Sequence, residues 1–129
     1  MLASKPPRPT DSELEILRVL WQRNPSTVRQ VQEELQKIRP TGYTTVLKLL
    51  QIMHQKGLVV RDETQRSHVY QPACSEEQTL GSLVSGLMQR AFGGSAKRLV
   101  LQALATQKAS PDELAQVREL LDSLGGHIR

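Results

Sequence analysis

Hydroxyl, amide and ammonium groups recur along residues 41–57, TGYTTVLKLLQIMHQKG. Helical spacing places Tyr43, Thr44, Lys48 and Gln51 on one side, with a single positive charge and no acidic residue. Such groups can bind the donors, acceptors and thymine methyls that base edges present in the major groove of DNA. The segment therefore predicts a helix that reads DNA, although a polar face exposed only to solvent is also common.

The other side of this segment is apolar. Val46, Leu49, Leu50 and Met53 follow the i, i+3, i+4, i+7 spacing of a buried helix face. Leu47 is the one apolar residue expected on the exposed side. Gly57 is placed as a C-cap and should end the helix near that residue.

Two shorter helices are predicted before this one. Thr10 to Glu13 reads TDSE, a capping box that starts a helix over about 11–23. Asn24 and Pro25 interrupt it, and Ser26 offers an N-cap for a second helix over about 27–37. Trp21 should anchor the core. Residues 1–9 contain three prolines and read as an extended arm.

After Gly57 the apolar period changes from 3.6 to 2, which predicts a β-hairpin. Its strands should span 58–63 and 67–72, and three basic residues, Arg61, Arg66 and His68, are expected at its tip. Three helices followed by a hairpin form the winged helix-turn-helix pattern, in which the tip can contact phosphates or the minor groove. The alternative is an ordinary hairpin whose charges protect its edges.

From Ser75 onward the sequence predicts two amphipathic helices, over about 75–92 and 110–124. Between them it predicts a short helix over about 97–106 that is apolar nearly all round and should therefore be buried. This half is too small for an independent core, so its apolar stripes should pack against a second copy about a two-fold axis. The alternative is that the helices fold back on the hairpin of a monomer. The predicted dimerisation residues are Leu80, Leu83, Val84, Leu87, Leu99, Leu101, Leu104, Leu114, Val117, Leu121 and Leu124.

The expected fold is therefore mainly α with a small β-hairpin wing, divided into a DNA-binding domain (1–73) and a helical dimerisation region (74–129). Residues 1–73 carry 11 Lys or Arg against 7 Asp or Glu, net +4, and residues 74–129 carry 6 against 6, net zero. An excess of positive charge confined to the first half favours a polyanionic partner for that half.

Catalysis has little support in the sequence. The three histidines lie on different predicted elements, adjacent glutamates point in different directions on a helix, and there is no phosphate loop or nucleophile elbow. The lone Cys74 excludes a cysteine-rich zinc site within one chain. We expect no enzyme activity, no metal and no cofactor. The absence of a membrane span or secretory signal favours the cytoplasm.

Two stretches are specific enough to indicate a family: LEILRVLW in the first helix and TTVLKLLQIMHQKG in the third. With them the chain resembles the penicillinase-repressor (BlaI/MecI/CopY-type) transcriptional regulators over essentially its whole length. The resemblance implies a winged-helix domain, three interlocking helices in a homodimer, and repression of resistance or stress genes. It places the groove contacts on Thr44, Thr45 and Lys48.

The chain departs from the family pattern at several positions. Ile52 stands where an arginine is frequent, and Lys48 where a threonine is frequent, so the base sequence that is read can differ. The Asn-Phe bond cut in antibiotic-responsive members corresponds to Gln102 and Ala103 here, and the cysteine-rich tail of copper-responsive members is absent. A sensor or protease partner therefore stays unidentified.

The function expected from the sequence is a repressor that binds a palindromic double-stranded DNA operator as a homodimer. The alternative is a winged-helix module that binds another protein and lacks specific DNA affinity.

Overall fold

The computed structural model describes residues 7–125, which form six helices and three short strands. In chain order these are α1 (Asp11–Arg23), β1 (Ser26–Thr27), α2 (Val28–Gln36), α3 (Tyr43–Lys56), β2 (Val59–Asp62), β3 (Val69–Pro72), α4 (Glu76–Ala91), α5 (Ala96–Thr106) and α6 (Pro111–Gly125). The mainly helical class with a small β-hairpin is confirmed. Most of the predicted N-terminal arm and the tail beyond Gly125, with His127, lie outside the described residues.

Local signals account for where the first helices begin and end. Thr10 and Glu13 form the predicted capping box, with the Glu13 amide donating to Thr10 Oγ1 at 3.2 Å and the Thr10 amide to Glu13 Oε1 at 2.9 Å. Gly57 ends α3 in the left-handed conformation, φ +84°, which an L side chain adopts only at a cost. The predicted start of α1 and the predicted end of α3 are confirmed. Both could be predicted because the interactions that form them join near neighbours in the sequence.

The start of α2 differs from the prediction. Its N-cap is Thr27, whose side chain forms a capping box with Gln30, and not Ser26. Ser26 is buried, and its hydroxyl donates to the Asn24 carbonyl at 2.9 Å.

Ser26 and Thr27 form β1, a strand that the sequence did not predict. It pairs antiparallel with β3, which also pairs with β2, so the hairpin becomes a three-stranded sheet of order β1-β3-β2. A two-residue strand has no alternation to detect. It pairs with Tyr70 and Val69, the two residues of β3 nearest the connection to β2, and the Ser26–Tyr70 pair joins residues 44 positions apart.

The core lies between the three helices and the sheet. It is formed by the apolar faces of α1 and α2, by the predicted inner face of α3, and by Leu58, Val59 and Tyr70 from the sheet region. Val46, Leu50 and Met53 are fully buried, whereas Leu49 packs partly against the core. Trp21 also packs there, and its indole N–H donates to the Cys74 carbonyl at 3.1 Å.

One ion pair reaches into this core. The side chain of Glu13 is 3% exposed, and both of its oxygens accept hydrogen bonds from Lys56 Nζ, at 2.8 and 3.0 Å. Burial alone would raise the pKa of Glu13, but the bonds from Lys56 and Thr10 outweigh it and hold that pKa below its ordinary value. The pair joins the first turn of α1 to the last turn of α3.

The chain divides into two compact units between Val84 and Ser85, within α4. The second unit holds the rest of α4 together with α5 and α6. Neither α5 nor α6 has a buried residue, although both carry several leucines. The prediction that α5 is buried, because it is apolar nearly all round, is therefore wrong for the described chain by itself. None of the described helices is long and apolar enough to cross a membrane.

The Glu13–Lys56 pair generates a stability prediction. Lys56→Met leaves a buried carboxylate with fewer partners, so the free energy of unfolding at pH 7 should fall by about 1–3 kcal/mol. Since the folded-state pKa of Glu13 is lowered, the pair stabilises the fold above the ordinary carboxyl pKa and is lost as the pH falls through the folded value. The difference between variant and wild type should therefore narrow as the pH is lowered to about 4.

Urea unfolding at both pH values measures this difference. Lys48→Met is the control, because Lys48 is exposed and has no ion pair within residues 7–125. A loss of equal size at both pH values would show that the charge of Glu13 is not the cause.

Candidate nucleic-acid interface

The predicted polar face of α3 is exposed. Tyr43, Thr44, Thr45, Lys48 and Gln51 all reach solvent, on the side opposite the buried face of the same helix. The structure therefore brings together the five α3 residues that the sequence proposed as DNA contacts.

Leu47 corrects one expectation about this face. The sequence left it as the single exposed apolar side chain, but it is partly buried and packs against the core. An apolar patch, which a protein-binding surface would tend to need, is therefore not formed by Leu47.

The N-terminus of α3 is open, unlike those of the other described helices. Side chains of Thr10, Thr27, Ser75, Ser95 and Ser110 each accept a backbone N–H at the start of α1, α2, α4, α5 and α6. Gly42 precedes α3 and provides no such bond. The first backbone bond of α3 runs from Val46 to the Gly42 carbonyl at 3.2 Å, so the earlier N–H groups remain available to an external acceptor such as a phosphate.

The turn that leads into α3 is held by side chains of α2. Gln32 Nε2 donates to the Thr41 carbonyl, and the Thr41 amide donates to Gln36 Oε1, both at 2.9 Å. Arg39 in the same turn donates to Glu15 of α1 through both terminal guanidinium nitrogens, with Nη1 at 2.8 Å from Oε2. These bonds determine where the open end of α3 lies relative to α1 and α2.

Arg29, in the first turn of α2, is a residue that the sequence analysis missed. Its guanidinium carbon lies 5.5 Å from the centroid of the Tyr43 ring, within the range of a cation–π contact. The contact brings a cation from α2 to the first residue of α3. A basic residue just after an N-cap was the only signal in the sequence, and it is too common to indicate a site.

The hairpin places its basic residues differently from the expectation. Arg66 and His68 lie exposed in the connection between β2 and β3. Arg61 is not at the tip: it lies within β2, opposite Tyr70, with its side chain 21% exposed. Its Nε donates to Glu63 Oε2 at 2.7 Å, and this guanidinium lowers the pKa of Glu63.

The Lys and Arg residues in the described part of the first unit thus fall into two sets, those with a carboxylate partner and those without one within residues 7–125. Between residues 7 and 73 there are ten Lys and Arg residues, and five of them bind carboxylates: Arg23, Lys37, Arg39, Lys56 and Arg61. The other five have no ion pair within residues 7–125: Arg8, Arg18, Arg29, Lys48 and Arg66. Cations of the second set can bind an external anion without first breaking a bond within the chain.

A metal site has no support in the described range, where no three His, Cys, Asp or Glu side chains are grouped so as to hold an ion.

Comparison with known sequences identifies the family. The family model of the penicillinase repressor matches residues 9–123. The chain belongs to the penicillinase repressor family. It is 33% identical over 120 residues to the transcriptional regulator BlaI of Mycobacterium tuberculosis, covering 91% of this chain and 86% of that protein. It is 25% identical over 118 residues to the penicillinase repressor of Bacillus licheniformis, with 92% of each covered.

Solved structures agree with this assignment. The monomeric form of Bacillus licheniformis BlaI, solved in complex with the blaP half-operator, has a TM-score of 0.50 and 28% identity over 57% of this chain and 90% of that chain. RosR of h. salinarum has a TM-score of 0.53 over 93% of this chain and 96% of that chain, at 16% identity. The first likeness supports both family and fold, and the second shows a shared fold alone.

Proposed function

We propose that this member of the penicillinase repressor family is a transcriptional repressor that binds a palindromic DNA operator as a homodimer. The observation that carries the proposal is the exposed outer face of α3, where hydroxyl, amide and ammonium groups surround an open helix N-terminus. A family member of the same fold has been solved on a half-operator, which supports DNA as the ligand of this surface.

In this proposal α3 is the recognition helix. Thr44, Thr45 and Lys48 lie within its first two turns, where side chains of such a helix reach base edges, with Tyr43 and Gln51 beside them. Hydroxyls and an amide can donate and accept hydrogen bonds, and the lysine can donate to guanine O6 or N7.

The hairpin would contact the DNA backbone beside the recognition helix. Arg66 and His68 are the residues best placed for this, because both are exposed in the connection between the strands. Arg61 stays a predicted contact with an added requirement: its guanidinium would have to exchange Glu63 for a phosphate.

Helices α4, α5 and α6 support a homodimer. Of the thirteen large apolar side chains that are exposed within residues 7–125, ten lie between residues 80 and 124: Leu80, Val84, Leu87, Val100, Leu101, Leu104, Leu114, Leu120, Leu121 and Leu124. The other predicted dimer residues, Leu83, Leu99 and Val117, are half-buried. A concentration of apolar surface of this kind marks an interaction site, and a second copy of the same segment offers a matching surface.

Repression would be steric. Two recognition helices in successive major grooves would hold the dimer on an operator that overlaps a promoter, and the bound protein would exclude polymerase. With roughly three to five phosphate contacts in each half-site, log K should fall with log salt at a slope of about −5 to −9.

The remaining parts of the proposal follow from this role. The DNA-binding domain would span 1–73 and the dimerisation region 74–129, so the boundary would lie before α4. The protein would act in the cytoplasm without a cofactor and without catalysing a reaction.

The rival function is a winged-helix module that binds another protein. Leu47 is partly buried, and Lys48 and Arg66 have no ion pair within the described range 7–125; both observations favour DNA over that rival.

Selection from fragmented genomic DNA tests the function as a whole. The purified protein should retain fragments that share a palindrome with half-sites about one helical turn apart, at both low and moderate salt. Retention of all sequences alike, lost on raising the salt, would leave only a weakly basic surface and favour the protein-binding module.

Lys48→Ala tests the recognition helix. If the lysine reads a base, the variant should bind the recovered operator more weakly by about 1–3 kcal/mol, measured by fluorescence anisotropy. Lys37→Ala is the matched control, because it removes the same charge from the C-terminal end of α2, where Lys37 is bound to Glu34. Unchanged operator affinity of Lys48→Ala at moderate salt would remove this lysine from the site.

Leu121→Asp tests the dimer. Leu121 is 56% exposed on α6, so a charge there should cost little in an isolated chain but would be buried in the proposed dimer. Sedimentation velocity should show monomers for this variant and dimers for Gln116→Asp, which places the same charge at an exposed polar position of α6. An intact dimer of Leu121→Asp would contradict the proposed interface.

A further inference from the structure

Arg29 and Tyr43 form the only cation–π contact found within residues 7–125, and it joins the starts of two helices. Arg29 is the second residue of α2, and Tyr43 is the first residue of α3. Both side chains are exposed, so neither residue is held there by burial in the core. The contact therefore needs an explanation other than packing.

The chemistry of the two groups leaves one side of the arginine available. A guanidinium carries its N–H donors in its plane, and contact with an aromatic ring occupies one flat face. The donors at the edge remain free, in the planar fork that matches two phosphate oxygens. The Tyr43 ring would also restrict the rotation of the arginine side chain, which lowers the entropy lost when an anion binds.

The charged residues around Arg29 also indicate that its guanidinium is available to an anion. Arg23 on α1 and Lys37 at the C-terminal end of α2 both bind Glu34, at 3.0 and 3.1 Å, whereas Arg29 binds no carboxylate within the described range. The uncapped N-terminus of α3 begins at Tyr43, beside the same guanidinium. An anion held by Arg29 would thus lie next to the proposed recognition helix.

We infer that Arg29 binds a backbone phosphate of the operator duplex and that Tyr43 is the positioning residue that holds its guanidinium for this contact. The inference rests on the proposed function, and it adds a backbone contact from α2 to the groove contacts of α3. Such a contact carries no base preference, so it sets the register of α3 on the duplex without choosing the sequence.

The salt dependence of DNA binding distinguishes a phosphate contact by Arg29 from a purely structural role of this residue. The dissociation constant of the full chain is measured over a series of KCl concentrations on two 30-bp duplexes, one with the sequence recovered by genomic selection and one of random sequence. Arg29→Ala should weaken binding to both duplexes by the same factor. The slope of log K against log salt should become smaller in magnitude by about 0.9 for each arginine that contacts a phosphate.

Variants of Tyr43 test the positioning role. Tyr43→Phe keeps the ring and should keep the wild-type slope on the random duplex, whereas Tyr43→Leu removes the ring and should weaken binding to both duplexes. Arg29→Lys keeps the charge but lacks the planar fork, so its affinity should fall between those of wild type and Arg29→Ala. Arg23→Ala is the control, because that arginine is already bound to Glu34. Thermal unfolding confirms that each variant is folded.

The outcomes distinguish the inference from the function on which it rests. If wild-type protein binds neither duplex, the proposed function fails. If wild type binds with the expected slope and folded Arg29→Ala shows the same affinity and slope, the phosphate contact is overturned. If Arg29→Ala alone has the smaller slope and Tyr43→Leu behaves as wild type, the contact stands and the positioning role of Tyr43 is overturned.

Discussion

The inner face of α3 has to stay in the core while the outer face of the same helix stays in solvent. Val46, Leu50 and Met53 are fully buried, and their burial determines the rotation of α3 about its own axis. Residues three or four apart share a helix face, so this rotation directs Lys48 and Gln51 outward. A substitution that rotated α3 about its axis by the angle of one residue would move polar groups into the core and remove them from the proposed DNA surface.

Contacts at both ends hold α3 in this position. The last turn is bound to α1 by Lys56 and the buried Glu13, and the turn before α3 is bound to α2 by Gln32 and Gln36. The first turn alone carries no side-chain cap. The protein therefore holds α3 along its buried face and at both ends, and leaves only the N–H groups of its first turn without a side-chain acceptor. A binding surface held in this way is preorganised, which lowers the entropy lost when a ligand binds.

Apolar surface is distributed unequally between the two units. The first unit contains the core of buried apolar residues, whereas the second leaves most of its leucines exposed on α5, α6 and the end of α4. Exposed leucines at such density are costly in water, and a second copy of the chain would cover them. The proposed dimer would also set the spacing between two recognition helices, which ties the apolar surface of one unit to the DNA specificity of the other.

The sequence by itself determined the features that arise between near neighbours: the apolar periods, the capping box of α1, the stop at Gly57 and the exposed polar face of α3. It did not determine β1, the Glu13–Lys56 pair or the contact of Arg29 with Tyr43, because each joins residues between 14 and 44 positions apart. A charge count could not separate Arg61, bound to Glu63, from Arg66. Only the tertiary structure shows which cations have carboxylate partners, since that depends on which side chains the fold brings together.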